Sequence, residues 1–129
     1  VISKETSVAM RGLLRAIVAE GTGRKADVPG YEVGGKTGTA DKPKPGGYHR
    51  DKTIGTFASV FPTSNPKYVL IITLDEPVEY INGKAIRTAG WTAAPVTGVA
   101  IRHLAPILGM RPKLELKPKP GRIVEARSE

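Results

Sequence analysis

The chain has 129 residues, with 20 lysines and arginines against 12 acidic residues, so its formal charge is +8 at pH 7. This length allows one small domain, and 40% hydrophobic with 25% charged residues is ordinary globular composition. Zero cysteines exclude disulfides, thiolate catalysis and cysteine-based zinc sites, and two histidines without a nearby acidic cluster argue against a transition-metal site.

The excess positive charge lies in two segments. Residues 36–52 contain five cations and two acids, and residues 111–129 contain six cations and three acids. Nucleic-acid binding usually combines basic residues with stacking aromatic residues, and residues 111–129 have no aromatic residue. We therefore expect no nucleic-acid partner. Three prolines among alternating charges predict that residues 111–129 form an extended, solvated tail.

The first part of the chain predicts a helix, a loop and a strand. Ser3 can cap a helix that stops near Gly21. Its apolar residues recur at helical spacing on one face: Met10, Leu13, Leu14, Ile17 and Val18. Residues 21–29 are typical of a loop. Residues 31–42 contain too many glycines for a helix and are expected to be extended, until residues 43–47 break the strand.

The second part predicts a hairpin and a second helix. Residues 53–61 and 68–75 are strand candidates, joined by turn residues at 62–66. Pro95 favours the first turn of a helix, which Pro106 should end or kink. The expected apolar stripe of this helix consists of Val96, Val99, Ala100, His103, Leu104 and Ile107.

The element order of helix, three strands and helix predicts an α+β fold without internal repeats. Residues 69–74 are apolar or threonine without alternation, which predicts a strand that is covered on both faces and paired on both sides. The sequence offers only one neighbouring strand, and so hydrophobic a strand at a sheet edge would promote aggregation. We therefore expect a further strand, from outside this chain, to lie beside it.

A glycine-rich lysine motif permits a first functional interpretation. Residues 30–37, GYEVGGKT, match the phosphate-loop pattern, and residues 69–76 imitate the apolar strand whose acid binds magnesium in nucleotide-hydrolysing enzymes. A phosphate loop presents its N–H groups at the start of a helix that follows a buried strand. Glycine and proline in residues 38–43 disfavour that helix, and Pro29 precedes the motif in a loop. Nucleotide binding is therefore the weaker alternative.

The segment Lys36, Thr37, Gly38 and Thr39, called here the KTGT segment, resembles the K-T-G motif of penicillin-binding proteins and serine β-lactamases. Its context extends the resemblance to residues 1 to about 112. The matching features are the lead-in GYEVGGKTGTADK, the loop at Gly46 to Tyr48, the hairpin FASVFPTSNPKY, the strand ending DEP and the helix start at Ala93 to Pro95. The opening VISKET, the run GTGRKADVPGY and the late GMRP resemble the class B, cell-division branch.

The resemblance implies that residues 1–110 are the C-terminal part of a transpeptidase domain, followed by the tail at 111–129. The three antiparallel strands would belong to a larger sheet flanked by helices. The S-x-x-K and S-x-N motifs of this family are expected upstream. Ser64 and Lys67 spell S-x-x-K, but they lie in a proline-containing turn after the KTGT segment, the reverse of the family order. No nucleophile is therefore expected in this chain.

Roles for individual residues follow from the resemblance. Lys36 would place a cation beside the upstream hydroxyls and attract an anionic substrate terminus. The hydroxyls of Thr37 and Thr39 would bind the terminal carboxylate of a peptide or a β-lactam. Gly38 would let the strand approach the nucleophile helix, and the N–H of Thr39 would be one of two oxyanion-hole donors. Tyr48, in the loop after this strand, would contact substrate.

Other residues receive structural interpretations from the sequence. His103 is expected to be a packed helix residue, because it falls on the apolar stripe. Trp91 precedes a helix and is expected to anchor packing, and Asp75 and Glu76 are expected to be capping or turn residues.

The implied function is that of a peptidoglycan D,D-transpeptidase that cross-links stem peptides through an acyl-serine intermediate and binds β-lactams. No cofactor or metal is needed. Implied partners are the N-terminal part of the domain and division proteins, and the implied location is the periplasm, with an upstream helix as inner-membrane anchor. The segment alone should be inactive. Alternatives are a serine β-lactamase, a β-lactam sensor domain, or a non-catalytic binding module.

Overall fold

The computed structural model describes residues 1–113, so most of the predicted tail at 111–129 lies outside the described residues. The elements follow the predicted order, with one additional hairpin. They are α1 (Lys4–Ala19), a 3-10 turn (Arg24–Ala26), β1 (Gly34–Lys44), β2 (Gly47–Phe61), β3 (Tyr68–Asp75), β4 (Glu79–Ile81), β5 (Lys84–Ile86) and α2 (Ala93–Ile107). No helix among residues 1–113 is long and apolar enough to cross a membrane.

Helix α1 begins where the sequence predicts. The N–H of Thr6 donates to Ser3 Oγ at 3.1 Å, which satisfies one of the free donors of the first turn. Of the predicted apolar face only Val18 is fully buried, whereas Met10 and Leu13 are about half exposed. The described residues therefore cover this helix mainly at its C-terminal end.

Strands β1, β2 and β3 form one antiparallel sheet in that order, which confirms the predicted hairpin. The β1–β2 ribbon is longer than predicted, because β1 continues through Pro43 and the turn lies at Pro45 and Gly46. The expected strand break at Pro43 was wrong, since an edge strand has one side without a partner strand and tolerates proline there. The pairing is irregular between Asp41 and Pro43.

The core lies on one face of this sheet. Every second residue of β2 from Thr53 to Phe61 is buried, and the rings of Phe57 and Phe61 are almost inaccessible. Helix α2 packs against this face and the 3-10 turn through six buried residues, all of them small except Ile101: Ala93, Ala94, Thr97, Gly98, Ile101 and Ala105.

The predicted apolar stripe is therefore not the face of α2 that packs within residues 1–113. Val96, Val99, His103, Leu104 and Ile107 are exposed among the described residues. Small side chains decide which face is buried, because they let the helix backbone come close to its neighbour. A Cβ added at Gly98 would lie only 3.0 Å from the carbonyl oxygen of Lys25. The helix ends one residue after Pro106, as predicted.

Strand β3 is covered on one face only by the described residues. Val69 and Ile71 are 70% and 60% exposed, while Leu70, Ile72 and Leu74 are partly buried. Within residues 1–113 no strand pairs with the outer edge of β3. The expected neighbouring strand from outside this chain stays a prediction.

The sequence reading missed the small β4–β5 hairpin. Its turn residues, Asn82 and Gly83, both have positive φ (50° and 76°), as in the two-residue turns that Asn-Gly pairs favour. The Asn-Gly pair was the available signal.

Residues 111–113 contact the domain. The N–H of Lys113 donates to the carbonyl of Gly30 at 2.8 Å, and Lys113 Nζ lies 3.6 Å from the carboxylate of Glu32. The start of the predicted tail therefore packs beside the segment that leads into β1.

Candidate active site

The sheet pairing shows which way the backbone N–H and C=O groups of the KTGT segment point. The N–H of Glu76 donates to Thr53 O at 2.9 Å, so the backbone groups of Thr53 face β3. Successive residues of a strand direct their hydrogen-bonding groups to opposite sides, so Thr56 and Ala58 face β1. Their partners are Gly38 and Lys36.

Thr37 and Thr39 alternate with these two residues. Their N–H and C=O groups therefore point away from β2, toward the edge of β1 that pairs with no strand among residues 1–113. An amide N–H at this edge can donate to an oxyanion or a carboxylate. Among residues 1–113 the KTGT segment is thus a border strand whose outward N–H groups face no partner strand.

Three side chains of the KTGT segment lie at this edge. Lys36 Nζ donates to the carbonyl of Thr37 at 2.8 Å and lies 3.3 Å from its hydroxyl. Thr39 Oγ1 accepts a hydrogen bond from the N–H of Ala89 at 2.9 Å. Because that bond uses Thr39 as an acceptor, its own hydroxyl proton is left to donate to a ligand.

Two loops meet in front of the edge. The first contains Thr22, whose hydroxyl lies 3.3 Å from the hydroxyl of Thr37. The second contains Ala89 and Gly90, and a Cβ at Gly90 would lie 2.7 Å from the carbonyl oxygen of Thr22. Glycine at this position therefore lets the loops approach. Together they enclose a cavity of about 590 Å³, lined by Glu20, Gly21, Thr22, Arg24, Lys25, Thr37, Thr39, Thr88, Gly90 and Trp91.

The cavity lining also includes an aromatic residue and a cation. Lys25 Nζ lies 4.0 Å from the centre of the Trp91 ring, which is a cation–π contact. Trp91 is half-buried and lines the cavity. The expectation that Trp91 anchors packing stays a prediction.

The charges around the cavity are predominantly positive. Ion pairs among residues 1–113 involve the cations Arg15, Lys42, Lys52 and Lys113. Arg24, Lys25 and Lys36 are absent from these pairs, and Glu20 is the one acid that lines the cavity. The site therefore offers an anion two threonine hydroxyls, free backbone donors and nearby cations.

The chain is similar to proteins of one known family. Residues 1–95 match the penicillin binding protein transpeptidase domain family. The chain is 43% identical over 125 residues to the probable peptidoglycan D,D-transpeptidase FtsI of Caulobacter vibrioides, covering 90% of this chain and 21% of that protein. It is 43% identical over 113 residues to stage V sporulation protein D of Bacillus subtilis, covering 88% and 17%.

A solved structure is similar as well. The crystal structure of penicillin-binding protein 3 from Mycobacterium tuberculosis, complexed with ampicillin, has a TM-score of 0.73 and 35% identity and covers 94% of this chain and 27% of that one.

This chain belongs to the penicillin-binding protein transpeptidase family. Its FtsI and penicillin-binding protein 3 relatives confirm the predicted class B branch, and the penicillin-binding fold confirms the predicted α+β class. The chain spans about a fifth of the length of the curated relatives it matches.

The phosphate-loop alternative is wrong for this transpeptidase segment. Thr37 is followed by strand to Lys44 instead of by a helix, and no strand precedes Gly30 among the described residues. The backbone donors of the motif therefore lie along a sheet edge and do not surround a phosphate.

The structure does not bring Tyr48 to the cavity. Tyr48 lies in β2 opposite Pro43 and is 66% exposed, so the expectation of a loop position was wrong. Pro43 is four residues beyond Thr39, or about 13 Å along the strand. A substrate contact by Tyr48 stays a prediction without support from this geometry.

Ser64 also lies away from the cavity, in the turn between β2 and β3. Its hydroxyl donates to the carboxylate of Glu32 and lies 3.3 Å from Lys113 Nζ. The Ser64 hydroxyl is the main cause of a lowered pKa of Glu32, with a smaller contribution from Lys113 and an opposing one from burial. This environment is a surface network in a turn, which agrees with excluding Ser64 as the nucleophile.

Asp75 is the last residue of β3, paired with Ile54, so it is a strand residue and not the expected turn residue, whereas Glu76 follows in a bend. Lys42 Nζ contacts the Asp75 carboxylate at 2.9 Å and the Glu76 carboxylate at 2.8 Å. The hydrogen bond to Lys42 is the main cause of the lowered pKa of Glu76. This cluster ties β1 to the end of β3 and is separate from the cavity lining.

Sequence reading missed two contacts of the KTGT segment, one from the hydroxyl of Thr22 and one from the N–H of Ala89. Each comes from a loop outside the segment. The glycines on both sides of Thr22 were the available signal for a close approach of backbones.

Proposed function

We propose that this chain supplies the KTGT wall of the active site of a peptidoglycan D,D-transpeptidase of the class B type. The observation that carries the proposal is the border position of the KTGT segment. It combines the free N–H groups of Thr37 and Thr39 with two hydroxyls and Lys36 beside one cavity. Relatives with the same domain include a protein named as a probable peptidoglycan D,D-transpeptidase.

In the proposed reaction, a serine upstream of this chain attacks the D-Ala-D-Ala bond of a stem peptide. The carbonyl oxygen gains negative charge, which the N–H of Thr39 stabilises together with the N–H of the nucleophile. The last D-alanine leaves, and an amine of a neighbouring stem peptide then takes the acyl group. No cofactor or metal takes part.

The terminal carboxylate of the donor peptide binds the hydroxyls of Thr37 and Thr39. Thr39 is oriented for this role because its oxygen already accepts from Ala89, which directs its proton to the ligand. Lys36 attracts the carboxylate and stays near the upstream catalytic hydroxyls, where its charge favours proton transfer. Gly38, between the threonines, adds no side chain, so the nucleophile helix can approach the strand.

A β-lactam would acylate the same serine and place its carboxylate on the same two threonines. The similar penicillin-binding protein 3 from Mycobacterium tuberculosis was crystallised with ampicillin. The partners of the proposed enzyme are stem peptides, the N-terminal part of its domain and division proteins. Its catalytic domain lies in the periplasm, anchored to the inner membrane by an upstream helix. This segment alone is inactive, because its nucleophile lies upstream.

Labelling of the full-length protein with a fluorescent penicillin tests the proposal. Lys36→Gln and Thr39→Ala should each lower the labelling rate by at least tenfold. Lys44→Gln is the matched control, because Lys44 lies on the same strand and is exposed, away from the cavity. Normal labelling of both Lys36→Gln and Thr39→Ala would count against the proposed site, and absence of labelling in the unmodified protein would refute the function.

A further inference from the structure

One wall of the cavity has no part in the reaction proposed above. Arg24, Lys25 and Trp91, called here the basic wall, line the cavity together with Thr37 and Thr39. Lys25 Nζ lies over the Trp91 ring at 4.0 Å from its centre.

The backbone of the basic wall is held firmly, although its cationic side chains are exposed. Ala26 is fully buried at the end of the 3-10 turn, and helix α2 packs so closely that a Cβ at Gly98 would lie 3.0 Å from Lys25 O. The N–H of Trp91 donates to Thr88 O at 2.9 Å. The packing of the core therefore fixes the Cα positions of the basic wall, which limits the space that its charged groups can reach.

The charge of this wall is not neutralised by an ion pair within residues 1–113. The acids of the ion pairs found there, Asp27, Glu32, Asp75 and Glu76, pair with other cations. The Trp91 ring attracts Lys25 through its electron-rich face, which positions the ammonium but leaves its charge in place. In a concave site such cations raise the local concentration of anions.

The cavity is large enough for a ligand that touches both walls. Its volume of about 590 Å³ lies within the range of sites for small molecules. Thr37, Thr39, Arg24 and Lys25 line this one cavity, so a ligand whose carboxylate lies on the two threonines can reach the two cations.

We propose that the basic wall is a second anion subsite, and that it selects acyl donors and β-lactams that carry an additional carboxylate. The first carboxylate lies on Thr37 and Thr39, as in the proposed function, on which this inference rests. Arg24 and Lys25 bind the second carboxylate, with Trp91 holding the Lys25 side chain in position.

Two penicillins that differ by one carboxylate test this subsite in the full-length protein. Carbenicillin is benzylpenicillin with an added carboxylate on its side chain, so the ratio of their acylation rates reports the second charge. Both rates are measured by competition with a fluorescent penicillin. The variants are Lys25→Gln, Arg24→Gln and the double variant, and the control is Lys84→Gln, which removes one exposed charge on β5, outside the cavity lining.

Each single variant should lower the rate with carbenicillin by about twofold to fivefold, as expected for an exposed ion pair, and the double variant by more. The rate with benzylpenicillin should stay within a factor of two, and Lys84→Gln should change neither rate. Lys25→Arg should restore the carbenicillin rate, and high salt should shrink the difference between Lys25→Gln and the unmodified protein.

Equal losses with both penicillins would overturn the subsite, because they would assign Arg24 and Lys25 a structural role. An unchanged rate ratio in the double variant would overturn it as well, while leaving the proposed function intact. If neither penicillin acylates the unmodified protein, the proposed function fails and the subsite with it.

Discussion

Gly35 gives the sharpest test of how the KTGT segment is held in place. A Cβ added to Gly35 would lie 2.6 Å from the carbonyl oxygen of Ala58 and 2.7 Å from ring atoms of Phe57. The shorter distance is about 0.9 Å less than an ordinary contact between heavy atoms. Neither neighbour can turn aside, because one is backbone of the adjacent strand and the other is a fully buried ring.

Gly35→Ala should therefore destabilise the domain by about 2 kcal/mol, within the range for overpacking of a core. A similar transpeptidase domain is more than twice as long as this chain, and at that size the cost corresponds to a loss of roughly 3–4 °C in the melting temperature. The measurement is thermal unfolding of the full-length protein, followed by circular dichroism in the unmodified and variant forms. Labelling with a fluorescent penicillin should weaken as well, since β1 must shift to relieve the contact.

Two further variants distinguish the steric clash at Gly35 from a loss of stability that any glycine-to-alanine change in this strand would cause. Gly38→Ala lies in the same strand, and its Cβ would meet nothing closer than 3.9 Å within residues 1–113, so its effect should appear in labelling more than in melting. Gly35→Ala combined with Phe57→Leu should lose less stability than the sum of the single variants, because the smaller side chain relieves part of the clash. A Gly35→Ala protein that melts within 1 °C of the unmodified form would refute the reasoning.

Three other predictions concern α1 and the two surface networks. Ser3→Ala should cost about 1 kcal/mol of stability through loss of the helix cap, measured by thermal unfolding. Ser64→Ala should leave penicillin labelling unchanged and raise the pKa of Glu32, whose folded value is lowered mainly by the Ser64 hydroxyl. A carboxyl group with a lowered folded pKa stabilises the folded state at pH values above its unfolded pKa, and this stabilisation is lost as the pH falls through the folded pKa. The variant lacks this contribution from Glu32 and should therefore lose less stability on acidification. Unchanged acid unfolding would contradict this. Lys42→Gln should raise the pKa of Glu76 toward its ordinary value, as followed by an NMR pH titration, and an unmoved pKa would show that Lys42 is not the cause.

The sequence by itself determined the family, the element order and the extended conformation of the KTGT segment. These follow from local patterns: the Ser3 cap, the glycines that disfavour a helix after Thr37, and the alternation that places Thr37 and Thr39 on one side of a strand. Family motifs then supplied roles for those residues. Local signals of this kind survive folding because they depend on a few neighbouring residues.

Tertiary structure alone decided which surfaces meet. The sequence favoured the large apolar stripe of α2 as its buried face, whereas close packing against the 3-10 turn selected the small residues around Gly98 instead. The same packing brings Lys25 and Trp91 to the cavity and Ala89 to the hydroxyl of Thr39. Contacts between residues so far apart in the chain depend on how closely backbones approach, and that distance is set by the three-dimensional packing of the whole domain.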